Sequence, residues 1–319
     1  MPDFEHIQVG EINLRAVIQG EGPLVVLVHG FPDSWYTWRH QLGPIAAAGF
    51  RVCAIDVRGY GGSDKPHEVE AYTLEQISND VARLIAILSP DKPAVLIGHD
   101  WGATISWTTA LVHRERVRAV AGLSVPYTGI PDRSLSEVID KVYTSKGKFF
   151  YMHYFEAEGV AEAEMEVDVR ASLRRFFYAW SGDVPAGSLP TNKVVGDPMF
   201  LRVPDPDTLP SWLTDADLDY YVGEFERSGF RGPLNRYRNS DRDFHFLQSY
   251  RGQVLEQPAL FIAGERDSVL SMFGDRLPAM RAALPNLQGL HLLPGCGHWT
   301  QHERADTVTE LLVTWLRGL

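Results

Sequence analysis

The chain has 319 residues, 45% hydrophobic and 22% charged, with a net charge of -11. That length is about twice the roughly 150 residues of an average domain, and a chain of this size buries roughly three quarters of its unfolded surface, so its core needs neither disulfides nor a metal. The composition excludes wholesale disorder, and the acidic balance argues against nucleic acid or an anionic membrane as a partner.

The start, Met1-Pro2-Asp3-Phe4-Glu5-His6, lacks a basic region followed by an apolar one, so no signal peptide is expected. No run of about 18 apolar residues follows, which predicts no transmembrane helix and, by default, a cytoplasmic protein. The first buried strand is predicted at Leu24 to Val28, ending in His29-Gly30. Arg51 to Asp56 is the second, leading into Arg58-Gly59-Tyr60-Gly61-Gly62-Ser63. Leu74 to Leu88 places Leu74, Ile77, Val81, Leu84, Ile85 and Leu88 at helical spacing, with Pro90 beyond its end. Ala94 to Ile97 is a third strand, ending in Gly98-His99-Asp100, and Thr104 to His113 a helix. Val120 to Val125 is a fourth strand. Continuous apolar strands of this kind predict a parallel sheet buried on both faces.

The texture changes near Pro126. Helical patterns follow at Leu135 to Tyr143, Ala161 to Tyr178 and Asp217 to Arg227, broken by an irregular, Pro-rich stretch from Ser181 to Pro210. The acidic stretch Glu156 to Asp168 is expected as a solvated helix face. Strands return at Ala259 to Ala263 and Gly289 to Leu293, followed by helices at Phe273 to Leu284 and Ala305 to Trp315. The expected organisation is an α/β core of residues 1–129 and 247–319, interrupted by a mostly helical insertion, residues 130–246. Cys53 and Cys296 are expected as two free thiols, since there is no CxxC and no His/Cys cluster at zinc spacing.

Ligands of open α/β sheets bind outside the carboxyl ends of the strands. Gly98-His99-Asp100-Trp101-Gly102 stands there with the spacing of a nucleophile elbow, a tight strand-to-helix turn that lifts its central side chain clear of the sheet. Here that side chain is Asp100. A carboxylate with an ordinary pKa of about 3.9 is ionised at neutral pH and attacks carbon without a base. His298 is then free to activate water against the resulting ester, oriented by Asp267, with Glu265 as a nearby rival. Hydrolysis passes through an oxyanion, for which the backbone N–H groups of Trp101 and of Phe31, in His29-Gly30-Phe31-Pro32, are the expected donors.

These motifs, with Gly297-His298-Trp299-Thr300-Gln301 and His29 to Tyr36, resemble the soluble epoxide hydrolases of the α/β-hydrolase fold, over nearly the whole chain. The resemblance implies a mostly parallel sheet flanked by helices, with the insertion acting as a cap. It also implies two cap tyrosines that donate to the epoxide oxygen, Tyr151 and Tyr237, with Tyr154 as the alternative to Tyr151. Ring opening produces an alkoxide, and a neutral phenol is a suitable donor to it. The substrate is expected to be an apolar epoxide, held by Phe31, Trp101, Phe155 and Trp180 between sheet and cap. No metal or organic cofactor is implied, and the resemblance allows a homodimer through the cap. The expected form is compact, without the phosphatase-like domain or membrane anchor of some relatives. Two other readings use the same residues. A dehalogenase would share the Asp nucleophile, but Phe31, where haloalkane dehalogenases often place Asn, and the paired tyrosines count against it. A non-catalytic ligand-binding relative would be expected to lack one of Asp100, Asp267 and His298.

Overall fold

The structure, a computed structural model, describes residues 2–272 and 274–319, with the backbone alone at Ser271. Among the described residues eight strands form one sheet in the order β1-β2-β4-β3-β5-β6-β7-β8. β3 (Leu24–Val28), β4 (Arg51–Ile55), β5 (Ala94–His99), β6 (Val117–Leu123), β7 (Ala259–Gly264) and β8 (Leu287–Leu293) run parallel. Every residue of β3, β5 and β7 is buried, as strands covered on both faces require.

The edge was not legible as strand. β1 (Glu5–Val9) and β2 (Ile12–Gln19) form an antiparallel hairpin in which Val9 faces Ile12, and β2 continues antiparallel onto β4. β1 alternates exposed and buried residues (EHIQV), the pattern of a half-solvated edge rather than of a buried run.

Helices cover both faces. α1 (Arg39–Ala47) precedes β4, α2 (Leu74–Leu88) precedes β5, and α3 (Trp101–Val112) follows β5. α2 has the predicted bounds, and the Thr73 side chain caps it by accepting from the Gln76 N–H. α3 begins three residues earlier than predicted, directly after Asp100. β6 ends two residues before the predicted Val125, because Ser124 turns to φ 69°.

Between β6 and β7 the described residues form helices and one isolated bridge, Lys148 with Val194. They are α4 (Leu135–Val142), α5 (Tyr151–Tyr154), α6 (Val160–Met165), α7 (Val169–Ala179), α8 (Asp215–Ser228), α9 (Arg231–Asn235) and α10 (Ser240–Gln248). The single helix predicted over Ala161 to Tyr178 is two. Asp168 is extended (φ -148°, ψ 90°), and its side chain caps the second helix through the Ala171 N–H. Residues 181–210 contain no helix or strand. After β7 come α11 (Ser268–Ser271) and α12 (Leu277–Ala283), and after β8 come α13 (Thr300–Glu303) and α14 (Ala305–Gly318). The predicted helix from Phe273 thus starts at Leu277 instead; Phe273 itself lies outside the described residues. Both cysteines are free and buried. Among the described residues no helix is long and apolar enough to cross a membrane, and no cluster of His, Cys, Asp or Glu could hold a metal ion.

Candidate active site

Asp100 sits at the junction of β5 and α3 with φ 54° and ψ -122°, a conformation that non-glycine residues avoid and that the surrounding packing must enforce. The turn closes because Gly98 faces Gly102: a Cβ on Gly98 would lie 2.0 Å from the Gly102 carbonyl oxygen. The Asp100 carboxylate does not cap its own helix. Instead Oδ1 accepts from the Phe31 N–H at 2.9 Å, and Oδ2 lies 3.6 Å from His298 Nε2. The Trp101 N–H, the second expected oxyanion donor, makes no hydrogen bond to this carboxylate. The Phe31–Pro32 peptide next to it is cis.

His298 stands between two carboxylates. Its Nδ1 is 3.2 Å from both oxygens of Asp267, whose Oδ1 also accepts from the Val269 N–H at the start of α11. Asp267 is therefore helix cap and histidine partner at once, while Glu265 is exposed and makes no contact with the ring. Burial works against a charged imidazole, but Asp267 and Asp100 override it and push His298 up to about 10. Burial also opposes charge on Asp100, yet the hydrogen bond and charge of His298, with the Phe31 amide, hold its carboxyl below the usual range. The resting site is a carboxylate–imidazolium–carboxylate array.

The two tyrosines are held in an aromatic cluster. The Tyr237 ring lies 5.4 Å from Phe31, 5.2 Å from Trp101 and 5.0 Å from Phe155. Tyr151 lies 6.2 Å from Tyr237 and 5.5 Å from Phe155. Burial, then the Asp100 charge, raises both phenols well above their ordinary range. Among the described residues neither hydroxyl donates a hydrogen bond to a protein group. Tyr154 does: its hydroxyl donates to Glu164 Oε2 at 2.6 Å.

Against known proteins, the family model for the alpha/beta hydrolase fold matches residues 23–305. Epoxide hydrolase B of Mycobacterium tuberculosis is 38% identical over 330 aligned positions, covering 94% of this chain and 92% of the relative. The solved structure of an epoxide hydrolase from an endophytic Streptomyces is 43% identical with a TM-score of 0.91, covering 100% of this chain and 95% of that one. Epoxide hydrolase A from Mycobacterium thermoresistibile is 39% identical with a TM-score of 0.93, covering 100% and 99%. The chain belongs to the epoxide hydrolases of the α/β-hydrolase fold.

The enzyme has an apolar cavity of about 370 Å³ reaching Asp100 and Trp101, with Trp107, Met152, Phe244 and Leu247 among its walls. Of Phe31, Trp101, Phe155 and Trp180, only Trp101 lines this cavity. Phe155 is fully buried behind the two tyrosines, Phe31 is packed edge-on against Phe155, Phe176 and Tyr237, and Trp180 stacks on Phe176 at 5.2 Å. Tyr151 and Tyr237 are likewise not among its lining residues.

Sequence reasoning missed the groups that fix the His298 backbone. His99 Nε2 and Ser124 Oγ both donate to the His298 carbonyl at 2.8 Å. His99 is held down to about 4 by burial and by the His298 charge, so it is a neutral donor. The only sequence signal for it was its place inside the elbow motif. Ser124 carried none, since its role depends on how distant loops meet.

Proposed function

We propose that this enzyme converts an apolar epoxide and water to a vicinal diol through an ester on Asp100. The observation that carries the reading is the division of labour on one carboxylate. Oδ1 is held by the Phe31 amide, and Oδ2 is free to attack beside His298. In the first step Asp100 Oδ2 bonds to a ring carbon, the ring C–O bond breaks, and the alkoxide takes a proton from Tyr151 or Tyr237. Both are suited to this: Tyr237 is buried and Tyr151 half-buried, both stay protonated, and neither hydroxyl has a protein acceptor among the described residues. The insertion that carries them serves as the cap, residues 130–246, over a core of 1–129 and 247–319.

Ester formation removes the Asp100 charge, which is one of the causes of the high His298 pKa. His298 can then release its proton, restoring the tyrosine, and act as general base. It takes a proton from water, and the hydroxide adds to the ester carbonyl carbon. The oxyanion forms on Oδ1, facing the Phe31 N–H and the adjacent Trp101 N–H. Collapse re-forms the Cγ=Oδ1 bond and breaks the Cγ–Oδ2 bond, so that Oδ2 leaves with the diol and takes the proton back from His298. The new Asp100 carboxyl, which holds the water oxygen, then gives its proton to His298 and restores the resting site. Asp267 holds the ring in the required tautomer throughout. No step uses a metal or organic cofactor.

The test is a single turnover with excess enzyme and a stilbene-type epoxide in 18O-labelled water. The expected result is unlabelled diol and label in the Asp100 peptide, read by mass spectrometry. Label passing directly into the diol would show attack by water on the epoxide and remove Asp100 from the role of nucleophile.

A further inference from the structure

Glu303 is a buried carboxylate that the reaction does not use. It lies at the end of α13, five residues after His298. Its Oε2 accepts from the Gly297 N–H at 2.8 Å and from the Gly182 N–H at 2.9 Å, and its Oε1 accepts from the Trp299 N–H at 3.1 Å. Gly297 and Trp299 flank His298. Gly182 belongs to a different element, the strap that leaves α7 of the helical insertion. The His298 N–H donates to Trp180 O at 2.8 Å, so three consecutive amides of the histidine loop are all spoken for. Two of them end on Glu303 and one on the same strap that Glu303 holds.

The fit leaves no slack. A Cβ on Gly297 would lie 2.2 Å from the Gly182 N, and a Cβ on Gly182 would lie 2.2 Å from the Gly295 carbonyl oxygen. Strap and loop are therefore in backbone contact. Burial raises the Glu303 carboxyl above its usual range, and the three amides oppose that rise. No Lys or Arg side chain pairs with it among the described residues. Its partners are amides alone, from the core on one side and from the insertion on the other.

We infer that Glu303 is a positioning residue that locks the His298 loop to the Trp180–Gly182 strap, so that the water-activating geometry is complete only when the insertion is seated. This rests on His298 being the general base of the ester-hydrolysing step. The lock acts on that step and not on ester formation, because Asp100 is placed by the β5–α3 elbow and by Phe31, neither of which Glu303 touches.

Glu303→Gln tests it. The amide keeps one oxygen and turns an NH2 group toward an N–H, so at least one of the three donors is left without an acceptor. The rates of ester formation and ester breakdown on Asp100 are measured separately by rapid quench and mass spectrometry, beside His298→Gln. Ester formation is expected within about threefold of the parent, and ester breakdown is expected to slow about tenfold or more, so that ester accumulates. Gly182→Ala, whose added Cβ would lie 2.2 Å from the Gly295 carbonyl oxygen and 2.9 Å from Glu303 Oε2, pushes the strap off the loop while keeping the Glu303 carboxylate, and is expected to shift the same ratio in the same direction. It carries the test if Glu303→Gln fails to fold. A role in stability alone would lower the melting temperature and leave the ratio of the two rates unchanged, and that result overturns the inference. If His298→Gln itself accumulates no ester, the fault lies in the proposed base, not in the lock.

Discussion

Gly30→Ala probes the oxyanion site by steric means alone. Gly30 does not have a positive φ, so alanine suits its backbone and only space is at issue. The added Cβ would lie 2.3 Å from Asp100 Oδ1, 2.6 Å from Asp100 Cβ and 2.7 Å from Trp101 N. All three atoms belong to the elbow, which is locked between strand and helix, so the Phe31 loop must retreat. The 2.9 Å hydrogen bond from the Phe31 N–H is then lost. A hydrogen bond to a charged acceptor contributes about 1.5–3 kcal/mol, which is roughly 10- to 150-fold in rate if the loss falls in the transition state. It does not fall equally on the two steps. During ester formation negative charge leaves Asp100, so the missing donor weakens the starting carboxylate more than the transition state. During ester breakdown charge returns to Oδ1, and the loss is felt in full. Ester breakdown should slow by about 10- to 150-fold while ester formation changes by less than about fivefold. The same amide helps to hold the Asp100 carboxyl low, so the acid limb of ester formation should move to higher pH. Rapid-quench mass spectrometry across pH measures both. Equal slowing of the two steps would refute the assignment of Phe31 to the oxyanion.

Four further outcomes follow from the same geometry. Tyr151→Phe and Tyr237→Phe should each slow ester formation by about 10- to 100-fold, since one acid remains, and leave breakdown of a preformed ester intact. Tyr154→Phe should leave both rates within about twofold and cost stability instead, because its hydroxyl is committed to Glu164; a denaturant midpoint and a rapid-quench trace distinguish the cases. Asp267→Asn removes the leading charge that favours the His298 proton and should slow ester breakdown by about 100-fold or more. His298 also makes folding stability pH-dependent. Its folded pKa of about 10 lies above the ordinary 6.5, so its contribution is present in full below 6.5 and is lost as pH rises through 10. Urea midpoints taken from pH 6 to about pH 10 should therefore fall for the parent. In Asp267→Asn the fall should be smaller and finish at lower pH.

The parallel sheet was legible because its strands are short, continuous apolar runs, each ending in glycine or a functional side chain. The same signal located Asp100, Asp267 and His298, since strand ends gather without knowledge of the loops between them. What escaped depended on less local causes. β1 and β2 pair in the alternating pattern of a half-solvated edge, which a search for buried runs passes over. Asp168 broke one predicted helix in two by capping from an extended backbone, and nothing in the helical spacing distinguished it from a surface acid. Asp267 was legible ahead of its rival Glu265, and the His298 ring, 3.2 Å from both Asp267 oxygens, separates the two. The lining of the cavity beside Asp100 was not legible for a related reason: the sequence supplies many aromatics near the site, but the packing of the insertion decides which of them faces this void. Phe155 faces the tyrosines, and Met152, three residues before it, faces the cavity.

The placement of His298 between Asp100 and Asp267 also predicts how the ester population should vary with pH. A nucleophile that must stay ionised in a buried site benefits from a cation beside it, and His298 at about 10 supplies one. A general base must instead be neutral. One residue meets both demands only if its pKa falls between the steps. Ester formation brings about that fall, because it turns one of the two flanking carboxylates into a neutral ester. Asp267 remains, so the pKa of His298 in the ester lies below about 10 but keeps one favourable partner. Below that value the ester forms on an ionised Asp100 and waits for a base; above it, breakdown is fast. The steady-state ester level should therefore be highest at acidic pH and decline as pH rises, with a midpoint below 10 that moves lower still in Asp267→Asn. Quenching the enzyme during turnover at successive pH values and weighing the Asp100 peptide gives that curve directly. An ester level that does not vary with pH would mean that the proton on His298 is not what separates the two steps, and the charge-coupled account of this site would fail.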